Sequence, residues 1–233
     1  MKSGMLILVA ILIFVVLCSL PAFLRWRKKQ SELRDKLLSR ISNRSESLFN
    51  SLRLISDRYL ARDTKLFIVE HLLSVIDQLN KANYSSDFVS KHVDLVGMLA
   101  DLKSGEWVAV KDRVTTQEQL DHVHNALQFM LRELRNMSES YGVNKVIIRH
   151  HIVLVHYAHA LAYRDLLVRQ ARQDLDNNKL NRALEKYRVA LSVIEKNGSV
   201  GSSKREIVRL QSMIQEVENI LFSKNNKADL KLK

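Results

Sequence analysis

The side chains best suited to chemistry in this sequence are four histidines within one stretch of ten residues. His150, His151, His156 and His159 carry imidazole nitrogens, which zinc and related metals accept as ligands. On a helix His156 and His159 share one face, and His151 lies about two turns from His159. No carboxylate stands at ligand spacing among them, and apolar residues flank them, which favours packed core or interface histidines. We therefore expect no bound metal and no other cofactor.

The rest of the sequence offers little further chemistry. His122 and His124 are two residues apart and point to different sides of a helix, so they do not form a pair. The aqueous part has no Gly-rich phosphate loop, no nucleophile elbow and no convincing pair of carboxylates. The sole cysteine, Cys18, lies in an apolar segment, which excludes an intramolecular disulfide and a cysteine-based zinc site. We expect a protein that is not an enzyme.

The composition predicts an all-α fold. The 233 residues include one proline and six glycines, so little interrupts the long runs of Leu, Ala, Arg, Lys, Gln and Glu that favour helix. We expect an N-terminal transmembrane helix followed by a cytoplasmic helical bundle or a short array of helical hairpins. We divide the chain into an anchor at 1–24, a basic juxtamembrane helix at 25–62, a helical domain at 63–142, hairpins at 143–222 and a flexible basic tail at 223–233.

The N-terminal segment from Met5 to Leu24 carries no charge. As a helix it would extend about 30 Å, the thickness of the hydrocarbon core of a bilayer. Arg25, Trp26, Arg27, Lys28 and Lys29 follow it directly, which favours a single-pass anchor over a cleaved signal peptide. By the positive-inside rule the N-terminus lies outside and the C-terminal domain in the cytoplasm, at the inner membrane if the protein is bacterial.

Basic residues concentrate beside this segment. Residues 1–65 hold 13 lysines and arginines against 5 acidic residues, which is most of the net charge of +12. Anionic lipid headgroups are the favoured partner of this excess. Nucleic acid ranks second, because no recognition motif accompanies the arginines that could meet phosphates. These are Arg34, Arg40, Arg44, Arg53, Arg58 and Arg62.

The juxtamembrane helix carries one apolar stripe that needs a partner. Its positions advance by alternating three and four residues, as in a coiled coil. They are Leu38, Ile41, Ser45, Leu48, Leu52, Ile55 and Tyr59. Packing onto later helices of the same chain and dimerisation both satisfy this pattern, so a homo-oligomer remains open.

Periodicity and capping signals place the later helices. One begins with a cap at Asp63 or Thr64, and a second runs from Ser86 to about Leu102. Its inward residues are predicted to be Val89, Val93, Val96 and Leu99. Thr115 with Glu118, and Ser203 with Glu206, match capping boxes that open two further helices. A long helix runs from about Lys145 into Asp176, and the piece from Trp107 to Val110 is ambiguous between strand and helical turn.

The stretch from Leu166 to Ile194 resembles a tetratricopeptide-type hairpin over about one repeat. Ala171 lies in its first helix, Asn177-Asn178-Lys179 form a short turn, and Ala183, Tyr187 and Ala190 lie in the second helix. The first-helix Trp and Tyr of the family and its terminal Pro are missing, and a generic helical hairpin accounts for the same pattern.

The resemblance implies a protein-binding scaffold. Ala171, Ala183, Tyr187 and Ala190 would pack the two helices together. By the same analogy Val168, Arg169, Arg172, Leu175 and Asp176 would face a partner. We therefore expect a membrane-anchored helical adaptor that binds an unidentified protein at the cytoplasmic face, with a membrane-tethered nucleic-acid-binding protein as the alternative.

Overall fold

In the residues that the computed structural model describes, every regular element is a helix, as the composition predicted. It describes the backbone of residues 2–105, 109, 111–140, 145–198, 201 and 203–229, and the side chains of 23–105, 109, 111–137, 145–198, 201 and 203–224. Within these limits the helices are α1 Lys2–Leu54, α2 Arg62–Lys81, α3 Asp87–Ser90, α4 His92–Ser104, α5 Gln117–Ser140, α6 Lys145–Asp176, α7 Leu180–Lys196 and α8 Ser203–Asp229. Of the ambiguous piece from Trp107 to Val110, only Ala109 is among the described residues.

Helix α1 is a single continuous helix of 53 residues. The predicted span from Met5 to Leu24 falls, except for its last two positions, on residues 1–22, whose side chains lie outside the described part. In the helices as described, no segment is both long and apolar enough to pass through a membrane. The side chains of residues 23–37 are all exposed. Arg34 among them donates a hydrogen bond of 2.7 Å to the carbonyl of Ala82, which follows α2.

The predicted apolar stripe of α1 packs against the chain itself. Leu48, Leu52, Ile55 and Tyr59 are each at most 5% exposed, and this end of the helix contacts α2, α3 and α5. The Ser42 hydroxyl donates a hydrogen bond of 2.8 Å to the Ser86 hydroxyl at the start of α3. These four residues of the stripe are therefore buried by packing onto other helices of the same chain.

The start of α2 differs from the sequence prediction. The helix begins at Arg62 after Ala61, which offers no side-chain cap, so the predicted cap at Asp63 or Thr64 is wrong. Thr64 is buried instead, and its hydroxyl shares a hydrogen bond of 3.1 Å with Nδ1 of His151 on α6. A tertiary contact has taken the hydroxyl that local capping would have used.

The helix predicted from Ser86 to Leu102 is two helices. Ser86 caps α3, its hydroxyl accepting from the Val89 amide, but the helix stops at Ser90 and α4 begins at His92. The break changes the inward face, so Val93 and Val96 are 76% and 44% exposed rather than buried. The buried positions of these two helices are Phe88, Leu95 and Leu102, while the predicted Val89 and Leu99 are partly buried.

Helix α5 has the predicted apolar face and a cap displaced by one residue. Its six predicted inward residues are all buried: Leu120, Val123, Leu127, Met130, Leu131 and Leu134. The Thr116 hydroxyl, not that of Thr115, accepts from the Gln119 amide at 3.2 Å. The Gln119 side chain returns to accept from the Thr115 amide at 2.9 Å. The capping residues are thus Thr116 and Gln119 instead of Thr115 and Glu118.

Helix α6 has the predicted limits and lies between α5 and α7. A tight turn joins it to α7, in which Asn178 adopts a left-handed conformation with φ of 56°. The Lys179 amide donates to the Asp174 carbonyl at 2.7 Å, and the Asn178 amide to that of Leu175 at 2.9 Å. This pair of bonds is the Schellman motif, which ends α6 and reverses the chain.

Helix α8 covers α7 and continues past Ser223 to Asp229. The predicted capping box at its start is wrong, since the Ser203 hydroxyl donates to the Gly198 carbonyl at 3.2 Å and Glu206 forms ion pairs with arginines. One apolar core extends from Leu48 in α1 to Val217 in α8. It therefore runs through all three aqueous segments that the sequence separated at residues 62 and 142.

Candidate partner-binding surfaces and the buried charge cluster

The hairpin residues predicted to meet a partner divide between core and surface. Val168 is 4% exposed and belongs to the core, so a partner cannot reach it. Leu175 is partly buried. Arg169, Arg172 and Asp176 are exposed, and their spacing places them on one face of α6. Of the predicted set, these three form a surface that another protein can contact.

The four residues predicted to pack the hairpin all lie inside it. Ala171, Ala183 and Ala190 are 0% exposed and Tyr187 is 2% exposed. Burial raises the pKa of the Tyr187 hydroxyl, and the nearby Arg172 guanidinium partly opposes that rise. This geometry is that of a close helical hairpin, which the tetratricopeptide-type pattern and a generic hairpin share.

A cluster of charges lies within the core where the segment after α1, the middle of α6 and the start of α8 meet. It consists of Arg58 and Tyr59 after α1, Arg164 and Asp165 in the middle of α6, and Glu206 in the first turn of α8, and we call it the charge cluster. The Arg58 side chain binds Asp165 with two nitrogens, Nη2 donating to Oδ1 at 2.9 Å. Nη1 of Arg164 donates to the same Oδ1 at 2.7 Å, and the Tyr59 hydroxyl donates to Oδ2 at 3.1 Å.

The protonation of the cluster follows from these contacts. Burial alone would raise the pKa of the Asp165 carboxyl, but hydrogen bonds and charges from Arg58 and Arg164 outweigh it and hold that pKa below its usual value. The hydrogen bond to Asp165 raises the pKa of Arg58 against the opposing effect of burial. Burial also raises the pKa of the Tyr59 hydroxyl. Two guanidinium and two carboxylate charges therefore balance in a desolvated site.

Arg164 has the most constrained position in the cluster. Its side chain is 1% exposed, and Nη2 lies 2.5 Å from Oε2 of Glu206. Nη2 nevertheless lacks hydrogen-bond geometry, and Nε has no hydrogen-bond partner among the described residues. The contact between Arg164 and Glu206 is therefore an ion pair without a well-directed hydrogen bond. Such a site fixes how α6 and α8 meet, since losing either charge would strand the other in the core.

Sequence reasoning did not find the charge cluster. A usable signal was present, because Arg164 and Asp165 interrupt the largely apolar run from Ala160 to Val168. Charged residues at core positions of a helix require partners. Nothing in the pattern indicated that Arg58 and Glu206 would supply them.

No family model, curated protein or solved structure matches this chain. The arguments that follow therefore rest on the geometry of its own residues.

The histidines take separate structural positions. His159 stacks on His124 of α5 with ring centroids 3.6 Å apart, and His151 stacks on Phe67 of α2 at 4.4 Å. His156 is exposed. In the part of the chain that the structure describes, no three His, Cys, Asp or Glu side chains gather as a metal site. The pairing of His124 with His159 is a helix contact that the spacing of the six histidines did not predict.

The stacked histidines are held in their neutral form. Burial, together with the charges of His124 and His156, lowers the pKa of His159 to about 4. Burial likewise lowers the pKa of His124. Each ring loses hydration in the folded state, so protonation at either one opposes the contact between α5 and α6.

A cleft of about 640 Å³ opens beside the end of α1. Its apolar wall includes Leu52, Ile55, Met98 and Val123, and a buried ion pair between Lys65 and Asp57 lies at its edge. The Tyr59 hydroxyl, which also lines it, is already engaged with the Val114 amide at 2.7 Å. The cleft also has charged and polar lining residues, among them Arg53, Asp112, Arg113 and His122.

The predicted membrane-interface residues are fully accessible on α1. Arg25, Trp26, Arg27, Lys28 and Lys29 are exposed, and the Trp26 ring lies beside Phe23 with centroids 6.0 Å apart. The arginines considered for phosphate binding are mostly engaged within the protein. Arg34 donates a hydrogen bond to the Ala82 carbonyl and Arg62 to that of Leu102. Arg44 pairs with Glu133, and Arg58 pairs with Asp165. The Arg53 guanidinium lies over the Phe49 ring.

Proposed function

We propose that this chain is a single-pass, membrane-anchored helical adaptor that binds a protein partner at the cytoplasmic face of the membrane. The observation that carries the proposal is the continuity of α1, which runs without interruption from the uncharged stretch into the core at Leu48. An anchor and a domain joined in this way would have one fixed connection. In a bacterium the membrane would be the inner membrane.

The charge around residues 25–29 supports the proposed topology. Four of these five residues are basic, and all five are exposed, so they are accessible to anionic headgroups. Attraction to such a surface contributes about 1 kcal/mol for each basic residue close to it. Translocating these residues would be unfavourable, which keeps the domain on the cytoplasmic side.

The hairpin formed by α6 and α7 supports the adaptor role. Its exposed face presents Arg169, Arg172 and Asp176 on a scaffold whose small buried residues hold the helices close together. Surfaces of mixed charge on fixed helices suit recognition of another protein, with arginine often dominating the binding energy. We assign this face to partner binding.

Membrane anchoring is tested by fractionation of the full chain against a chain lacking Met1 to Leu24. The full chain should stay in the membrane pellet after high salt and carbonate, and the shortened chain should be released. A matched control replaces Arg25, Arg27, Lys28 and Lys29 by Gln, which should keep the protein in the pellet. If the shortened chain remains in the pellet after both washes, the anchor assignment is wrong.

Topology is tested by labelling a cysteine introduced as Asn177→Cys, at an exposed position, in a Cys18→Ser background. A membrane-impermeant maleimide should label it only after the cells are permeabilised. The variant with the four basic residues replaced by Gln should show partial labelling in intact cells, because its topological signal is gone. If the cysteine is labelled in intact cells while the basic residues are unaltered, the domain lies outside the cytoplasm.

Partner binding is tested by quantitative capture from native membranes with the full chain. Arg169→Ala combined with Asp176→Ala should reduce the captured partner at least about tenfold, since truncation at a binding centre typically costs more than 1 kcal/mol. Arg182→Ala, on the exposed side of α7, serves as the control and should leave capture unchanged. Equal capture by all three proteins would exclude this face as the binding surface.

A further inference from the structure

The exposed part of α1 carries a second apolar stripe, separate from the one that packs into the core. Phe23, Trp26, Gln30, Leu33 and Leu37 advance by three, four, three and four residues, the spacing of a coiled-coil seam. We call this set the stalk seam. Its apolar members are 53% to 58% exposed. Nothing in the described residues covers them.

The positions flanking the stalk seam are all basic. In the heptad pattern Arg27 and Arg34 lie along one side of it and Lys29 and Lys36 along the other. The two acidic residues of this stretch, Glu32 and Asp35, fall on the outer face instead. An apolar stripe between two rows of cations favours a partner that places acidic residues on both sides of its own apolar residues.

The seam continues onto the domain. The next position of the pattern, Arg40, lines a cleft of about 670 Å³ together with Lys36, Tyr84 and Phe129. Arg40 is exposed and forms no ion pair with any described residue, whereas Arg44 is already paired with Glu133 at 2.7 Å. A helix lying along the seam would therefore meet an uncompensated guanidinium where it reaches the domain.

From these observations we infer that the stalk seam binds an acidic amphipathic helix of a partner protein. The partner helix would set apolar residues against Trp26, Leu33 and Leu37 and Glu or Asp against the flanking cations. This rests on the proposed function, since it takes α1 to stand upright from the membrane rather than lie along it.

A second copy of this chain fits the seam poorly. In either relative orientation of two such helices, the flanking positions of one face those of the other, so cations oppose cations at every pair. Arg40, which occupies a seam position, would also be enclosed without a counter-charge. Both effects destabilise a homodimer of this surface.

A lipid surface does not reach the far end of the seam. With α1 continuing straight from the proposed anchor, Leu33 stands about 14 Å beyond Leu24 and Leu37 about 20 Å beyond it, at 1.5 Å per residue. The headgroup layer extends only about 5–7 Å past the hydrocarbon core. Phe23 and Trp26 are within reach of lipid, but Leu33 and Leu37 are not.

The first test uses the full chain in nanodiscs of neutral lipid and synthetic helical peptides of about three heptads. One peptide carries Leu at the seam positions and Glu at the flanking positions, and its counterpart carries Lys in place of Glu. The acidic peptide should bind at least about tenfold more tightly than the basic one, with affinity that falls as salt rises. Equal binding of the two peptides, or no binding, would overturn the inference.

Variants locate the binding on the seam. Leu33→Asp with Leu37→Asp should weaken the acidic peptide at least about tenfold. The matched control is Val93→Asp with Val208→Asp, since both valines are exposed apolar residues elsewhere on the domain, and it should bind as the unaltered chain does. Replacing all four flanking cations, Arg27, Lys29, Arg34 and Lys36, by Glu should invert the preference in favour of the basic peptide, a gain that misfolding could not produce.

The native occupant is identified by a photo-crosslinking residue in place of Leu33, in native membranes. Crosslinks to an acidic helical segment of another protein support the inference. Crosslinks to this chain itself, to lipid or to a segment without acidic residues overturn it. Failure of the full chain to incorporate into nanodiscs would instead count against the proposed anchor, so the two failures are distinguishable.

Discussion

Arg58 and Asp165 are 107 positions apart in the chain, yet Nη2 of the arginine donates a hydrogen bond of 2.9 Å to Oδ1 of the carboxylate. This contact joins the segment after α1 to the middle of α6. Arg164 and Glu206 extend the same cluster to α8. The segment that follows α1 is thus held to the hairpins by charge as well as by apolar packing.

Removal of the central carboxylate should strongly destabilise the fold. Asp165→Asn leaves Arg58 and Arg164 to share the single carboxylate of Glu206 in a buried site, and we expect a loss of about 3 kcal/mol in the free energy of unfolding. The measurement is urea denaturation of the full chain in detergent, followed by far-ultraviolet circular dichroism. Glu218→Gln removes an exposed ion pair with Arg188 and should change the value by less than about 0.5 kcal/mol. Similar losses in the two variants would argue against the cluster as a stabilising feature.

Stability should fall as the pH is lowered from about 6.5 towards 4. His159 has a folded-state pKa of about 4 against an ordinary value of 6.5, so the unfolded chain takes up its proton first and acid favours unfolding. His71, whose pKa burial also lowers to about 4, adds to the same trend. Asp165 acts in the same direction at lower pH, because its lowered pKa keeps its stabilisation intact until the pH falls below about 4.

The histidine contribution is isolated by His159→Gln. This variant should lose less stability than the unaltered chain over that range, by up to about 1 kcal/mol per pH unit. The comparison is the melting temperature measured at intervals from neutral pH to the edge of acid unfolding. Asn125→Gln, at an exposed and non-titrating position on α5, should leave the pH dependence as it was. A parallel pH profile for His159→Gln would show that the stacked pair does not titrate as described.

Because the chain is interrupted between α3 and α4, Leu95 faces inward where periodicity predicted Val93. Truncation of each side chain distinguishes the two arrangements. Leu95→Ala should cost about 3 kcal/mol, because Leu95 is 0% exposed and its truncation leaves a cavity. Val93→Ala should cost less than about 0.5 kcal/mol, since that side chain is 76% exposed. Chemical denaturation of both variants measures the difference. A larger loss of stability for Val93→Ala than for Leu95→Ala would instead support the inward face expected from one uninterrupted helix.

The turn between α6 and α7 should respond to the residue type at position 178. Asn178→Gly should be neutral or slightly stabilising, because glycine adopts the left-handed conformation without a steric penalty. Asn178→Val should destabilise the fold by about 1–2 kcal/mol, since a β-branched residue is strained at a φ of 56°. Melting temperatures of the two variants give the comparison. Equal melting temperatures would mean that the hairpin tolerates another turn.

The sequence predicted those parts of the fold that depend on local pattern. The face of α5 and the limits of α6 follow from helical periodicity, and the turn at Asn177 to Lys179 follows from its polar composition. The buried alanines of the hairpin lie where the tetratricopeptide-type pattern puts small residues. In each of these cases the residues that decide the structure are close together in the chain.

The errors have a common physical origin in contacts between distant residues. Thr64 does not cap α2 because its hydroxyl engages His151, and Glu206 does not complete a capping box because Arg58 and Arg164 attract its carboxylate. Val168 was expected at the surface but packs in the core, since α6 is enclosed by neighbouring helices that the hairpin pattern alone does not specify. The local sequence pattern showed which polar side chains need a partner, but not which distant residue would be that partner.

Because α1 is one uninterrupted helix, a tilt at one of its ends is transmitted to the domain at the other end. A helix of 53 residues measures about 80 Å, and it has no proline or loop between its exposed stalk and the buried end at Leu48 and Leu52 where it could pivot. With its far end held in a bilayer, a tilt of a few degrees there would swing the hairpins through several ångströms and turn their exposed arginines towards or away from the membrane. The orientation at which a partner meets this protein would then be governed by the thickness of the surrounding lipid.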